Sequence, residues 1–309
     1  MFTDRLATLS AVLDGLMSRY RAQVPDVGGI VREMVREGII ADEAALENDH
    51  IAFRTLGVPN LGIASLEQVF LHYGYERRDR YHFPEKRLDA HWYAPPDPRF
   101  PRIFISELRV HDLSPEAQHI VHSYTDGVRQ DPVRALDLDD AAAVVGFLHA
   151  PLWRTPTWKD YVRLRDESEY AAWVIYNRYY LNHFTVSVHN LPGGYGTVEG
   201  FNRFLEARGF TLNDSGGKVK TSPDGKLLQS STVAAMVDAD FDDGRGGLER
   251  KRIAGSYVEF AERRVLDEFR HLPPHEIRRE HRREGFESAN ADRIFESTYT
   301  AQTGRRDGV

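Results

Sequence analysis

The sequence has 309 residues, 41% of them hydrophobic and 28% charged, with a net charge of −7 and no cysteine. That composition fits a folded chain long enough for one large domain or two ordinary ones, and its acidic balance gives no reason to expect a nucleic-acid partner. Without thiols there are no disulfides, thiolate zinc sites, iron–sulfur clusters or cysteine nucleophiles, so any metal must be held through nitrogen and oxygen.

The first residues lack the apolar core of a signal peptide. The most apolar run, Ala141 to Ala150, is far short of the roughly 20 residues that cross a bilayer. A cytoplasmic location without a membrane partner is therefore the default expectation. Leu6, Leu9, Leu13, Met17 and Tyr20 recur at helical spacing, and Ile30 to Glu37 reads as a second short helix ending at Gly38. The segment Asp49-His50-Ile51-Ala52-Phe53-Arg54-Thr55 alternates like a strand, which puts His50, Ala52 and Arg54 on one face. An amphipathic helix with Ile63, Leu66, Val69, Phe70 and Tyr73 follows and stops at Gly74-Tyr75. Strands are expected around Leu88 to Tyr93 and Arg102 to Val110, the second carrying Glu107.

The pattern then repeats. Asn182-His183-Phe184-Thr185 opens another strand, a helix with Val198, Phe201, Phe204 and Leu205 follows, and Gly209-Phe210 ends it. Strands are expected over Leu227 to Val237 and Ile253 to Ala261, the latter carrying Glu259. His50 to Gly74 is 24 residues (74 − 50) and His183 to Gly209 is 26 (209 − 183), the mark of a duplicated module. Ser114 to Tyr180 reads as helical, with Trp153, Trp158 and Trp173 as packing residues. The charged tail after Ala261 reads as helix broken at Pro273-Pro274.

Two histidines and one carboxylate make the facial triad that leaves positions on an ion open for substrate and O₂. Equivalent placement in the repeat singles out His50 and His183 among 13 histidines. Glu259 sits between apolar residues in a strand, where it would be either a buried carboxylate with a metal or other cation nearby or an outward-facing edge residue. Fe(II), Mn(II) and Zn(II) all suit this donor set. Glu107, in the matching place of the first module, would be a fourth ligand, an acceptor for a ligand histidine, or a relic of duplication; the second role is favoured. Arg54 would either grip a substrate carboxylate or form an ordinary salt bridge. Asp238-x-Asp240-x-Asp242 lacks the glycine of a calcium loop, and the Glu276–Glu284 run reads as a solvated helix face.

The motifs around His50, Asn182-His183-Phe184-Thr185, Ser222-Pro223-Asp224-Gly225 with Leu228-Gln229-Ser230-Ser231-Thr232, and Gly255-Ser256-Tyr257-Val258-Glu259-Phe260 together resemble the 2-oxoadipate dioxygenase/decarboxylase (hydroxyglutarate synthase) family over Asp49 to Thr300. The resemblance implies an α+β fold of vicinal-oxygen-chelate type, with paired βαβββ modules cupping a metal. It implies His50, His183 and Glu259 as ligands of Fe(II), a site other divalent ions such as Mn, Co, Ni or Zn could also occupy, and Arg54 as the catalytic-site anchor of a substrate carboxylate. The implied reaction takes 2-oxoadipate and O₂ to 2-hydroxyglutarate and CO₂ in lysine catabolism. Gln229, Ser231 and Lys220 are further candidates for substrate contact.

One metalloenzyme domain over 1–309 is expected: N-terminal helices over 1–48, modules over 49–110 and 181–261, a helical insertion over 111–180 and a helical tail over 262–309. The expected partners are a 2-oxo dicarboxylic acid and O₂, with homo-oligomer formation left open. A glyoxalase-type isomerase or lyase, and a non-enzymatic small-molecule-binding module of the same fold, are the competing readings.

Overall fold

The structure is a computed structural model and describes residues 2–306. Met1 and the last three residues of the tail lie outside the described part. In chain order the elements are α1 (Phe2–Gln23), α2 (Pro25–Arg36), β1 (Asn48–Leu56), α3 (Ile63–His72), β2 (Glu76–Phe83), β3 (Leu88–Ala94), β4 (Arg102–Leu108), α4 (Pro115–Thr125), α5 (Ala141–Leu148), α6 (Trp158–Glu167) and α7 (Glu169–Asn177). The second half adds β5 (His183–Ser187), α8 (Val198–Glu206), β6 (Lys220–Thr221), β7 (Leu227–Ser231), β8 (Met236–Asp242), β9 (Leu248–Ala254), β10 (Tyr257–Arg263), α9 (Ser288–Ile294) and α10 (Thr300–Arg306).

Eight strands form one sheet in the order β2-β3-β4-β1-β5-β10-β7-β6. Its left half is βαβββ, its right half repeats that order in mirror fashion, and the halves join through the antiparallel β1–β5 pair. Within each half the histidine strand lies parallel to the last strand, β1 beside β4 and β5 beside β10. Each module helix stops the same way. Gly74 (φ 92°) and Gly209 (φ 81°) take the left-handed conformation that only glycine adopts freely. The next amide then reaches back five residues, Tyr75 to Phe70 O and Phe210 to Leu205 O, each at 3.1 Å. The repeated Gly-aromatic pair is thus a repeated helix cap.

Strand alternation sorts the chemistry. Phe53 turns to α3, its ring 5.4 Å from Phe70, and Phe260 turns to α8, its ring 5.1 Å from Phe201. Their even-numbered neighbour His50 and odd-numbered neighbour Glu259 therefore point to the opposite face, into the concavity.

Three expectations need correction. Leu227 to Val237 is not one strand: β7 stops at Ser231, and β8 leaves the sheet to pair with β9 as a separate two-stranded hairpin. Ile253 to Ala261 is not one strand either: Ile253 and Ala254 end β9 of the separate hairpin, and β10 starts at Tyr257 in the main sheet. The tail is only partly helical. β10 continues to Arg263, and only isolated 3₁₀ turns separate it from α9. The run read as a solvated helix face is committed to distant backbone instead: Arg279 donates to Pro98 O and Phe100 O, each at 2.8 Å, and Arg282 donates to Arg263 O at 2.8 Å.

Candidate metal centre

His50 comes from β1, His183 from the start of β5, and Glu259 from β10, so the three nearest strands at the seam each supply one donor. His50 Nε2 lies 3.4 Å from His183 Nε2 and 3.5 Å from Glu259 Oε1, while His183 Nε2 is 3.1 Å from Glu259 Oε2. Bonds of ~2.1 Å to one ion would set neighbouring donors ~3.0 Å apart in an octahedron or ~3.4 Å apart in a tetrahedron. The histidine–histidine edge matches that range, and each histidine nitrogen is as close to one of the two Glu259 oxygens, so one ion could reach all three side chains. These three residues are the cluster among the described residues that could hold a metal, and all three are buried.

The donors are braced from behind. His50 Nδ1 meets Asp49 Oδ1 at 2.8 Å and His183 Nδ1 meets Asn182 Oδ1 at 3.1 Å, which turns each Nε2 toward the centre. A bulge in the β1–β5 pairing between Asn48 and His50 accommodates the adjacent Asp49 and His50. Arg263 grips Asp49 with two bonds of 2.6 and 2.9 Å, and Arg102 adds a third at 3.3 Å. Burial alone would raise the Asp49 pKa, but the two guanidiniums hold it well below the usual carboxylate range. Gln229 donates to Glu259 Oε1 at 2.6 Å and is itself fixed by Asn290 at 3.0 Å.

The histidines differ electrostatically. Burial would depress His50, but Glu259 and Asp49 outweigh it and raise its pKa. Burial, then the nearby His50 and Arg54, push His183 well below 6.5, so it stays neutral and available as a ligand.

Phe104, Tyr257, Phe286, Ala291, Ile294 and Phe295 close the cup around this cluster. The edge of the Phe286 ring meets His50 at 4.7 Å between centroids. The space remaining is about 20 Å³, room for one water-sized body, so a larger ligand enters only when the tail segment over the cup shifts. Wider clefts of about 610 and 410 Å³ open elsewhere on the surface, but neither is lined by any of the three donors.

The family model described as 2-oxoadipate dioxygenase/decarboxylase matches residues 12–272. The chain belongs to that family. The chloroplastic 2-oxoadipate dioxygenase/decarboxylase of Arabidopsis thaliana is 43% identical over 289 residues, covering 90% of this chain and 74% of that protein. The crystal structure of the Oryza sativa hydroxyglutarate synthase in complex with 2-oxoadipate superposes with a TM-score of 0.86 at 40% identity, covering 98% of this chain and 95% of that one. A glyoxalase-superfamily protein from Ralstonia eutropha JMP134 shares the fold, with a TM-score of 0.69 at 22% identity over 86% of this chain and 85% of that one. The cytoplasmic expectation is corrected by these relatives: the Arabidopsis protein is chloroplastic. A default drawn from a missing signal peptide was no evidence of compartment, because a folded domain of this kind works in any aqueous one.

Within this family frame, the candidate residues sort as follows. Gln229 reaches the cup but spends its amide on Glu259. Ser231 lies opposite Glu259 in the β7–β10 register and bonds Ser297 Oγ at 2.8 Å. Lys220 is buried, its Nζ donating to Asn213 O at 2.7 Å, and burial lowers its pKa to about 8. Arg54 is 1% exposed and donates to Thr298 Oγ1 and Phe295 O, both at 2.9 Å.

Glu107 is neither a ligand nor an acceptor for a ligand histidine. Its Oε2 accepts the amide of Ile63, the first residue of α3, at 2.8 Å. Glu262 Oε2 does the same for Val198, the first residue of α8, at 3.0 Å. The true counterpart of Glu107 is therefore Glu262, and the counterpart of Glu259 is Phe104, three residues earlier in each strand. Register agrees, since Phe104 pairs with Ala52 and Glu259 with Thr185, each two residues past its histidine. Counting to the nearest glutamate in sequence mismatched the modules. The bracing residues Asp49 and Asn182 were missed, although each precedes its histidine and offers an acceptor.

Proposed function

We propose that the protein is an Fe(II)-dependent 2-oxoadipate dioxygenase/decarboxylase, converting 2-oxoadipate and O₂ to 2-hydroxyglutarate and CO₂ as a step of lysine breakdown. The atoms balance: one carbon leaves as CO₂ and both oxygen atoms of O₂ enter the products. The observation that carries this reading is the cluster of His50, His183 and Glu259, close enough to share one ion, inside a closed, largely aromatic cup. A nitrogen and oxygen donor set of this kind suits Fe(II), which when bound would supply Lewis acidity and O₂ activation.

The chain's own residues account for the rest. His50, His183 and Glu259 hold the ion, and Asp49, Asn182 and Gln229 fix their orientation. Arg54 is the substrate anchor. Among the described residues it has no carboxylate partner, its Nε is buried without a hydrogen bond, and its other donors rest on the tail segment. A guanidinium held that way favours an incoming carboxylate, which would replace Phe295 O and Thr298 Oγ1 as the segment shifts. Phe104, Phe286 and Phe295 exclude water from the reacting end. The donors come from both modules and the cover from the tail, which supports treating residues 1–309 as one functional unit. The isomerase reading wanted Glu107 as a fourth ligand, and that carboxylate is occupied at α3.

The test is oxygen uptake by anaerobically purified, Fe(II)-reconstituted protein on addition of 2-oxoadipate. Uptake with equimolar CO₂ and 2-hydroxyglutarate is expected. Metal binding without uptake on any 2-oxo acid would overturn the proposal.

A further inference from the structure

Tyr257 opens β10 and is fully buried, with its ring 4.8 Å from the ring of His183, its register partner. It forms part of the wall of the cup. Its backbone carbonyl accepts a hydrogen bond from Tyr20 of α1, so its position is fixed by the main chain. Among the described residues its hydroxyl makes no hydrogen bond, and Arg54 Nε, also buried, makes none. The two groups are neighbours: Tyr257 is level with His183 and, across it, with Ala52, two residues before Arg54, and the Tyr257 hydroxyl comes close to the Arg54 guanidinium and Ser297 without the geometry of a full hydrogen bond. A buried donor left unpaired is a standing cost, and two close together, one of them on a residue of the cup wall, call for a shared acceptor.

We infer that Tyr257 is a specificity-determining residue whose hydroxyl, with Arg54 Nε, donates to the far carboxylate of the dicarboxylic substrate. The inference rests on the reading of the reaction given above and adds a second contact at the end of the substrate away from the metal. Arg54 lies four residues beyond His50, about 13 Å along the strand, and Tyr257 is level with His183, so the two donors stand on the side of the triad away from His50 and Glu259. An acid lacking the far carboxylate would leave both donors unpaired, which is the strongest means a pocket has of rejecting an analogue.

The test is Tyr257→Phe, which removes only the hydroxyl. The expected result is an apparent KM for 2-oxoadipate raised about tenfold with kcat within about twofold, the loss of one hydrogen bond to a charged group. Turnover of 2-oxohexanoate, which has the same length and no far carboxylate, stays unchanged. Equal losses on both acids would overturn the inference, because the hydroxyl would then act elsewhere. Calorimetric titration with adipate, which has no 2-oxo group to chelate a metal, separates this inference from the reaction itself. Wild type should bind adipate about tenfold tighter than the variant, and this can hold even if no oxygen uptake is found. No difference, or no binding by either, would overturn it. The free variant should melt at or above wild type, since an unpaired buried donor is gone; a fall of more than about 5 °C would mark the hydroxyl as structural and also overturn it.

Discussion

The two modules share a backbone plan and differ in three side chains where it matters. Both keep a glutamate that caps the module helix, Glu107 and Glu262, and both place an acceptor before the histidine, Asp49 and Asn182. At the centre, however, Phe104 stands where the second module has Glu259, Ala52 where it has Thr185, and Arg102 where it has Tyr257. The scaffold was kept twice and the carboxylate once. A symmetric pair of carboxylates would crowd the ion; one carboxylate facing one phenyl ring leaves a side of the ion open to ligands and dry.

The largest test of this asymmetry is removal of the single carboxylate. Glu259→Ala should weaken metal binding at least about a hundredfold, read as metal content after dialysis, while Glu107→Ala leaves the content unchanged. Retention of metal by the Glu259 variant would show that the modules are not divided in this way. The bracing acceptors should be unequal as well. Asp49→Ala strands the buried guanidinium of Arg263 and should cost about 3–5 kcal/mol of stability, together with a roughly 10–100-fold loss of metal affinity. Asn182→Ala should show only the smaller, affinity part of that effect. Denaturant melts of the two variants decide.

The second module also has an acid-sensitive group that the first lacks. His189, two residues past β5, has its pKa pushed down to about 4 by burial and then by Arg282. Its position in the first module is taken by Leu56. The unfolded chain takes up a proton near pH 6.5 and the folded chain only near 4. The stability present above pH 6.5 is therefore lost as pH falls through that window, by at most about 3 kcal/mol. His189→Leu should flatten the stability profile there. The smallest effect is the shared one: Glu107→Gln and Glu262→Gln should each cost about 1 kcal/mol, alike and additive, because each loses part of one helix-start bond. Unequal costs would argue that the two caps are not equivalent.

The sequence showed the triad because function forces His50 and His183 into matched strands, and strand alternation is written in every second residue. It showed both helix ends because glycine is the residue that relieves a positive φ. It did not show the identity of the modules' partners at Glu107, because insertions shift counting distances while hydrogen-bond register stays fixed. The β8–β9 hairpin was hidden for a different reason: Thr232 to Ala235 interrupts two strands without a proline or glycine to mark the break. Tyr257 stood in the sequence only as one letter of the Glu259 motif, and its unpaired hydroxyl, which sets it apart, is visible only in the structure.

The β1–β5 seam has a consequence for how the protein is made. Its donors are far apart in the chain, with Glu259 209 residues after His50 (259 − 50). At about 5–20 residues per second, the ribosome delivers the last donor roughly 10–40 s after the first. Through that interval His50 is made and nothing completes the centre. Metal binding by all three side chains is thereby postponed to the end of synthesis, and a chain cut short before β10 lacks the carboxylate.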